Sequence, residues 1–386
     1  MKEIGSHFHL KESAIQRIQD KLKGNRSVQP DGRIDAVNPQ NFGNSRIYFS
    51  SGRSAIRFCL KEVAETVTRA RSVLRKSALV PEYTCASVLE PFLREGWQLN
   101  FYPLEPDLTV RVSVWNRLIE QYQPDAMLFH PFFGFDTIIA DEPLVKQDTK
   151  IIYDMTQSWA SGLSYPYADF VVASLRKWGP LPDGAFAEKC SGLFWQDPPQ
   201  REDGILLELT LDAYRGKDRF LSRLEGNKAD FLSQFANGGN RIAAMDESYQ
   251  MSAFSQAVWD EMTAAPAKDS WMESRRQNFS RLAAYSGWSD LGRPYFGLTG
   301  GSVPLYFPIE LKNGIRKRLQ SFLAQKRIYC PVIWPVPEQV NIPASDDLRR
   351  IQENCLCIPI DQRYGMDDMN RIMESLNEFG TDRNSG

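Results

Sequence analysis

Ser174 and Lys177 stand three residues apart where a short apolar run, Phe170-Val171-Val172-Ala173, meets the turn Trp178-Gly179-Pro180-Leu181-Pro182-Asp183-Gly184. A lysine amine at a strand end can form a Schiff base with an aldehyde cofactor, and a serine beside it can hydrogen-bond a phosphate. Alone, S-x-x-K describes many surface loops, so the pair acquires meaning only through partners. Asp154 closes a second apolar run, Ile151-Ile152-Tyr153, with Gln157 three positions on. A carboxylate ending a buried strand requires a partner, either a protonated ring nitrogen or an arginine. Further back, Ser50-Ser51-Gly52-Arg53-Ser54 leads from Ile47-Tyr48-Phe49 into a stretch with Ala55, Ile56, Cys59, Leu60 and Val63 at helical spacing. Such a turn opens a helix, whose free N–H groups and dipole favour a phosphate. Ser51, Gly52, Arg53 and Ser54 would supply those donors, with charge from Arg53; the same serines would serve equally to cap a helix without a ligand.

These groups need an α/β frame. Short apolar runs separated by helical stretches recur from Ile47 onward, the pattern of a mostly parallel sheet. In open sheets of that kind ligands bind at the carboxyl ends of the strands. Ala78 to Val88 forms another strand–turn–helix unit through Pro81-Glu82-Tyr83-Thr84-Cys85, and further strands are expected at Leu99–Tyr102 and Ala126–His130. The aromatic stretch Phe129–Phe135 is expected to floor a pocket or to meet another subunit. From Gly204 the sequence turns helical and charged, over 206–232, 245–262 and 271–285, and the charges of Arg275–Leu282 suit a solvated face. Short strands are expected again at 303–309, 329–334 and 355–359, with Trp334 and Arg363 placed to face a substrate. Residues 1–45 read as an N-terminal arm, 46–240 as a large domain and 241–386 as a smaller C-terminal α/β domain.

Composition narrows the classes. The chain has 386 residues, 42% hydrophobic and 24% charged, with a net charge of -2. That is a globular enzyme's balance, with no basic face for nucleic acid and no polybasic patch for a membrane. No apolar run is long enough to span a bilayer, and Met1–Ser6 lacks the apolar core of a signal peptide. The six cysteines are scattered with no C-x-x-C pair, which suits reduced thiols in a cytoplasm. Three histidines in all argue against a His-rich metal site, so no metal is expected.

The order of small-residue turn, strand-end Asp and strand-end Lys resembles the fold-type I pyridoxal-phosphate enzymes, and most closely the DegT-like aminotransferases. The resemblance runs from about Ile47 to Pro359. It implies pyridoxal 5'-phosphate as cofactor, with Lys177 as its covalent anchor and proton carrier and Asp154 on the pyridine nitrogen. Gln157 is implied near the ring hydroxyl, with Ser174 and the Ser51–Ser54 turn on the phosphate. The P-x-Y-T-x segment is implied to place a residue over the ring; Cys85 occupies the position where an aromatic often follows the Thr, and Tyr83 is the alternative. The spacing of three between Ser174 and Lys177 also differs from the S-x(4)-K of related sugar aminotransferases. The implied activity moves an amino group from an amino acid such as glutamate to a keto-sugar or other carbonyl acceptor, often nucleotide-linked, in a homodimer. Two other readings stay open: a different reaction of the same cofactor on an amino acid (lyase or decarboxylase), and a non-catalytic relative of the fold.

Overall fold

A computed structural model describes residues 3–24, 45–70, 75–223, 225–244, 247–335, 337, 340–342 and 345–384. Most of the polar stretch expected to form the N-terminal arm lies outside the described residues. In the first half the elements run α1 (Glu12–Gly24), β1 (Arg46–Phe49), α2 (Gly52–Ala70), β2 (Ser77–Pro81), α3 (Ala86–Arg94), β3 (Gln98–Tyr102), β4 (Val110–Arg111), α4 (Val112–Tyr122), β5 (Ala126–Phe129), β6 (Ile138–Ile139), β7 (Lys150–Asp154), β8 (Phe170–Ser174) and β9 (Ala185–Lys189). Four helices follow, α5 (Gly204–Arg223), α6 (Lys228–Ala244), α7 (Ala253–Thr263) and α8 (Ala267–Ala283). The chain ends with α9 (Trp288–Leu291), β10 (Gly292–Pro294), β11 (Phe307–Leu311), α10 (Arg316–Gln325), α11 (Asp346–Asn354), β12 (Cys355–Ile358) and α12 (Met366–Asn384).

These elements divide between two compact units. One comprises residues 1–6, 66–168 and 268–386; the other comprises 7–65 and 169–267. In the first unit four strands pair in the order β7-β5-β2-β3, every pairing parallel. Parallel strands are covered on both faces and so read as continuous apolar runs. Accordingly β2 and β5 are buried along their whole length, and β7 from Ile151 onward. The same unit carries the antiparallel sheet β10-β11-β12 near its C-terminus. In the second unit three strands pair in the order β1-β9-β8, both pairings antiparallel. There Ala55, Ile56, Cys59, Leu60 and Val63 bury one face of α2, the stripe its spacing gives.

Three expectations fail for physical reasons. Residues 329–334 form no strand; Pro331 lacks the N–H that a ladder needs, and Ile328 makes only an isolated bridge to Ile4. Pro304 interrupts the next run in the same way, so β11 starts at Phe307 and not at Val303. Arg275 is not on a solvated face. It is fully buried, donating through Nε to Gln362 and through one terminal nitrogen to the carbonyls of Pro304 and Leu305, at 2.9, 3.2 and 3.0 Å. Burial lowers its pKa to about 10, so the guanidinium stays charged at neutral pH and serves as a clamp on irregular backbone.

Candidate active site

In the second unit, β8 delivers Ser174, buried, to the start of a single 3-10 turn, Leu175–Lys177. That turn ends with Lys177, whose side chain is exposed. Backbone hydrogen bonds fix both ends of the segment: Leu175 N–H donates to Gly184 O at 3.0 Å, and Gly184 N–H donates to Ser50 O at 3.0 Å. Gly184 has a φ of 131°, which a side chain would oppose. The lysine turn and the Ser50–Ser54 turn are therefore laced together by main chain.

At the start of α2 the Ser51 hydroxyl accepts from Ser54 N–H at 3.2 Å and lies 3.0 Å from the Ser54 hydroxyl. This is a serine N-cap. Gly52 sits so close to β8 that a Cβ there would lie 3.3 Å from Ser174 Cβ and 3.9 Å from its hydroxyl. The result is a cradle in which a helix N-terminus and the hydroxyls of Ser51, Ser54 and Ser174 come together. Arg53 is half-buried at its edge. One residue passed over in the sequence lies in the lysine turn itself. Arg176 follows Ser174 by two; its Nε is sealed from solvent without a hydrogen-bond partner. Burial depresses its pKa, and the nearby charge of Arg53 depresses it further. The loop beyond is held by Asp183, fully buried, whose carboxylate accepts from Ser252 N–H at 3.1 Å and from the Ser252 hydroxyl at 2.8 Å. Burial raises the Asp183 pKa to about 6.

The first unit positions the other expected residues. Asp154 ends β7, is buried, and accepts from Thr156 N–H at 2.9 Å in an Asx turn that stops the strand. Gln157, also buried, accepts from Phe133 N–H through its side-chain oxygen at 2.7 Å. That bond orients the amide, leaving its NH2 as the donor. Ser161 then ties the same loop down, donating to Gly134 O at 2.7 Å and accepting from Val303 N–H at 2.9 Å.

Tyr83 and Cys85 differ. Tyr83 is 1% exposed, and its ring packs on Phe132 at 5.8 Å and Trp334 at 5.4 Å between centroids. Cys85 is half-exposed as the N-cap residue of α3, with its sulfur 3.0 Å from the Ser87 hydroxyl. Of the two, Cys85 is the residue with open surface. The guanidinium of Arg363, expected to face substrate, is engaged bidentately by Asp361 at 2.7 and 2.8 Å. The aromatic stretch is covered within its own unit, since Phe129, Phe132, Phe133 and Phe135 are all buried there, so it gives no reason to expect a subunit contact.

His130 lies in the same aromatic cluster, with Nε2 3.0 Å from the Thr84 hydroxyl, and burial lowers its pKa to about 3. The unfolded chain binds the proton near pH 6.5 and the folded one only near 3, so this group's stabilisation is complete above 6.5 and lost as the pH falls. Across that window it should cost about 1.4 kcal/mol per pH unit. In urea unfolding, His130→Gln should show a shallower loss of stability between pH 6.5 and 4 than the parent; equal slopes would contradict the assignment.

Among the described residues no three His, Cys, Asp or Glu side chains are grouped as metal ligands would be, and no helix is long and apolar enough to cross a membrane.

No family model matches the chain, and no curated protein matches it. Solved structures do. A DegT/DnrJ/EryC1/StrS aminotransferase from Brucella abortus aligns at 16% identity and a TM-score of 0.57, over 97% of this chain and 91% of that one. Helicobacter pylori PseC, an aminotransferase involved in the biosynthesis of pseudoaminic acid, gives 13% identity and a TM-score of 0.63 over 98% and 99%. The PLP-form of the putative sugar aminotransferase Spr1654 from Streptococcus pneumoniae gives 12% and 0.63 over 99% of both chains. The chain thus has the fold of these aminotransferases along nearly its whole length.

Proposed function

We propose that the chain is a pyridoxal-phosphate-dependent aminotransferase that takes nitrogen from an amino acid, glutamate in the first instance, and gives it to a keto group on a sugar, including nucleotide-linked sugars. The observation that carries this reading is the cradle of the second unit: hydroxyls and helix N–H groups fit for a phosphate, with an exposed lysine amine one short turn away. Support also comes from the likeness in fold to sugar aminotransferases.

The residues fit the cofactor's parts. Ser51, Gly52, Arg53, Ser54 and Ser174 would bind the phosphate, and Lys177 would hold the group covalently through Nζ. When bound, the cofactor supplies an electron sink for carbanion charge at the carbon bearing the amino nitrogen. Lys177 Nζ, once released, would be the group that accepts and returns the proton there. Asp154 would keep a proton on the ring nitrogen, and Gln157, whose side-chain oxygen is taken by Phe133 N–H, would offer its NH2 to the ring hydroxyl. Cys85, which keeps more open surface than Tyr83, would be the residue against the ring. The protein would act as a homodimer in the cytoplasm, where six free thiols stay reduced.

The test is a half-reaction. Glutamate added to the cofactor-loaded protein should shift the absorbance to that of pyridoxamine phosphate and release an equivalent of 2-oxoglutarate, and a keto-sugar should reverse the shift. Carbon dioxide or an elimination product released without that shift would overturn transamination in favour of a lyase or decarboxylase.

A further inference from the structure

We infer that Asp183 is a positioning residue for Lys177. It acts through α7, which with the residues leading into it forms one base under both the lysine turn and the Ser50–Ser54 turn. The inference rests on the reading of Lys177 as the amine that holds the cofactor.

The loop after Lys177 draws its order from outside. Pro180 and Pro182 bring no N–H to a hydrogen bond, and Gly179 and Gly184 leave the backbone a wide choice of conformations. What fixes it lies 69 positions further along the chain. At the start of α7 the Ser252 hydroxyl caps the helix, accepting from Ser255 N–H at 3.2 Å, and donates to the Asp183 carboxylate at 2.8 Å. Ser252 N–H donates to the same carboxylate at 3.1 Å, and Asp183 N–H donates to the Ser255 hydroxyl at 3.3 Å. All three residues are fully buried. Near the other end of α7, Gly179 lies directly against the side chain of Met262. Gly184 lies against Met251, whose methyl carbon would be 2.9 Å from a Cβ placed there. The same segment reaches the other half of the cradle. Tyr249 O accepts from Ser50 N–H at 2.9 Å, and Ser50 O accepts from Gly184 N–H at 3.0 Å.

A carboxylate taken wholly out of water is a costly way to fill space, and an apolar side chain would do so without that cost. What the carboxylate adds is direction. Two donors from one residue, at a helix N-terminus whose dipole favours its charge, hold the loop in one place. The segment that carries Lys177 is thus pinned at Leu175 by Gly184 O and at Asp183 by α7. An amine that takes and returns a proton must come back to one position each time, and a displacement of about 1 Å can cost roughly a hundredfold in rate.

The experiment reads two quantities in the parent and in D183A: amide hydrogen exchange in the cofactor-free protein, and the glutamate half-reaction in the loaded one. In D183A the Leu175 and Gly184 amides should exchange about ten- to a hundredfold faster, the scale of a buried donor pair left unmatched, while the amides of α5 in the same unit keep the parent's rates. The half-reaction at saturating glutamate should slow by about tenfold or more, with the half-saturating concentration changed less than about twofold. D183N keeps an acceptor for Ser252 N–H, so it should fold readily and show both changes in smaller measure. Exchange at Leu175 and Gly184 equal to the parent's in D183A, or in D183N should D183A not fold, would overturn the inference. Acceleration spread equally over α5 would also overturn it, since that marks a general loss of stability. A half-reaction at the parent's rate despite faster local exchange would cut the tie to Lys177. If the parent itself did not react with glutamate, the proposed function would fall, and exchange alone would judge Asp183: local acceleration supports its hold on the lysine turn, and unaltered exchange removes it.

Discussion

Lys177→Ala is expected to abolish covalent retention of the cofactor after borohydride reduction while leaving the fold intact. The parent protein should be yellow, and reduction followed by peptide mapping should find the adduct on the segment that contains Lys177. Loss of the amine removes both the anchor and the proton carrier, and a positioned acid–base group alone contributes roughly 10²–10⁴-fold. Transamination should therefore fall by at least about that factor. The fold should tolerate the change because Lys177 is exposed at the end of its 3-10 turn, whereas its neighbours Leu175 and Trp178 are buried and remain. An adduct mapped to a different lysine would remove Lys177 from the site.

Asp154→Asn should keep cofactor binding within a fewfold and lose most turnover, by roughly 10²–10⁴. The amide is nearly isosteric and can still accept from Thr156 N–H, so the Asx turn that closes β7 survives. An amide cannot stabilise a positive charge on the ring nitrogen as a carboxylate does. A substrate analogue with a more acidic proton should be less affected than glutamate, because it leans less on the electron sink. Wild-type turnover in Asp154→Asn would disprove the pairing of this carboxylate with the ring.

Much of this frame is legible in sequence because strands covered on both faces announce themselves. Ile151-Ile152-Tyr153 and Phe170-Val171-Val172-Ala173 are apolar on both faces, so their ends, and hence Asp154 and Lys177, can be placed from the runs alone. The helical stripe of α2 fixes the start of that helix and with it Ser51–Ser54. Residues whose surroundings come from distant segments are not legible. Arg275 carries a charge in a charged helix, and only the carbonyls of Pro304 and Leu305 explain its burial. Tyr83 reads as a candidate for the cofactor face until Phe132 and Trp334 cover it. Prolines 304 and 331 stop strands that their apolar neighbours suggest, since β propensity cannot restore a missing N–H donor.

The antiparallel pairing of β1 with β9 also sets the order of assembly during synthesis. Arg46 and Glu188, which bond across that pair, are 142 positions apart. At 5–20 residues per second the ribosome needs roughly 7–30 s to deliver the second strand after the first. For that interval Ser51 and Gly52 have emerged without Ser174, and β1 offers an open edge of four residues, of which Ile47 and Phe49 are apolar and end up buried. A nascent chain that has reached only Ala168 holds Asp154, Gln157 and Cys85 and the helix end for the phosphate, yet it lacks Lys177 and the strand against which Gly52 closes. The cradle is thus a late product of translation, and truncated chains lack it however well their parallel strands fold.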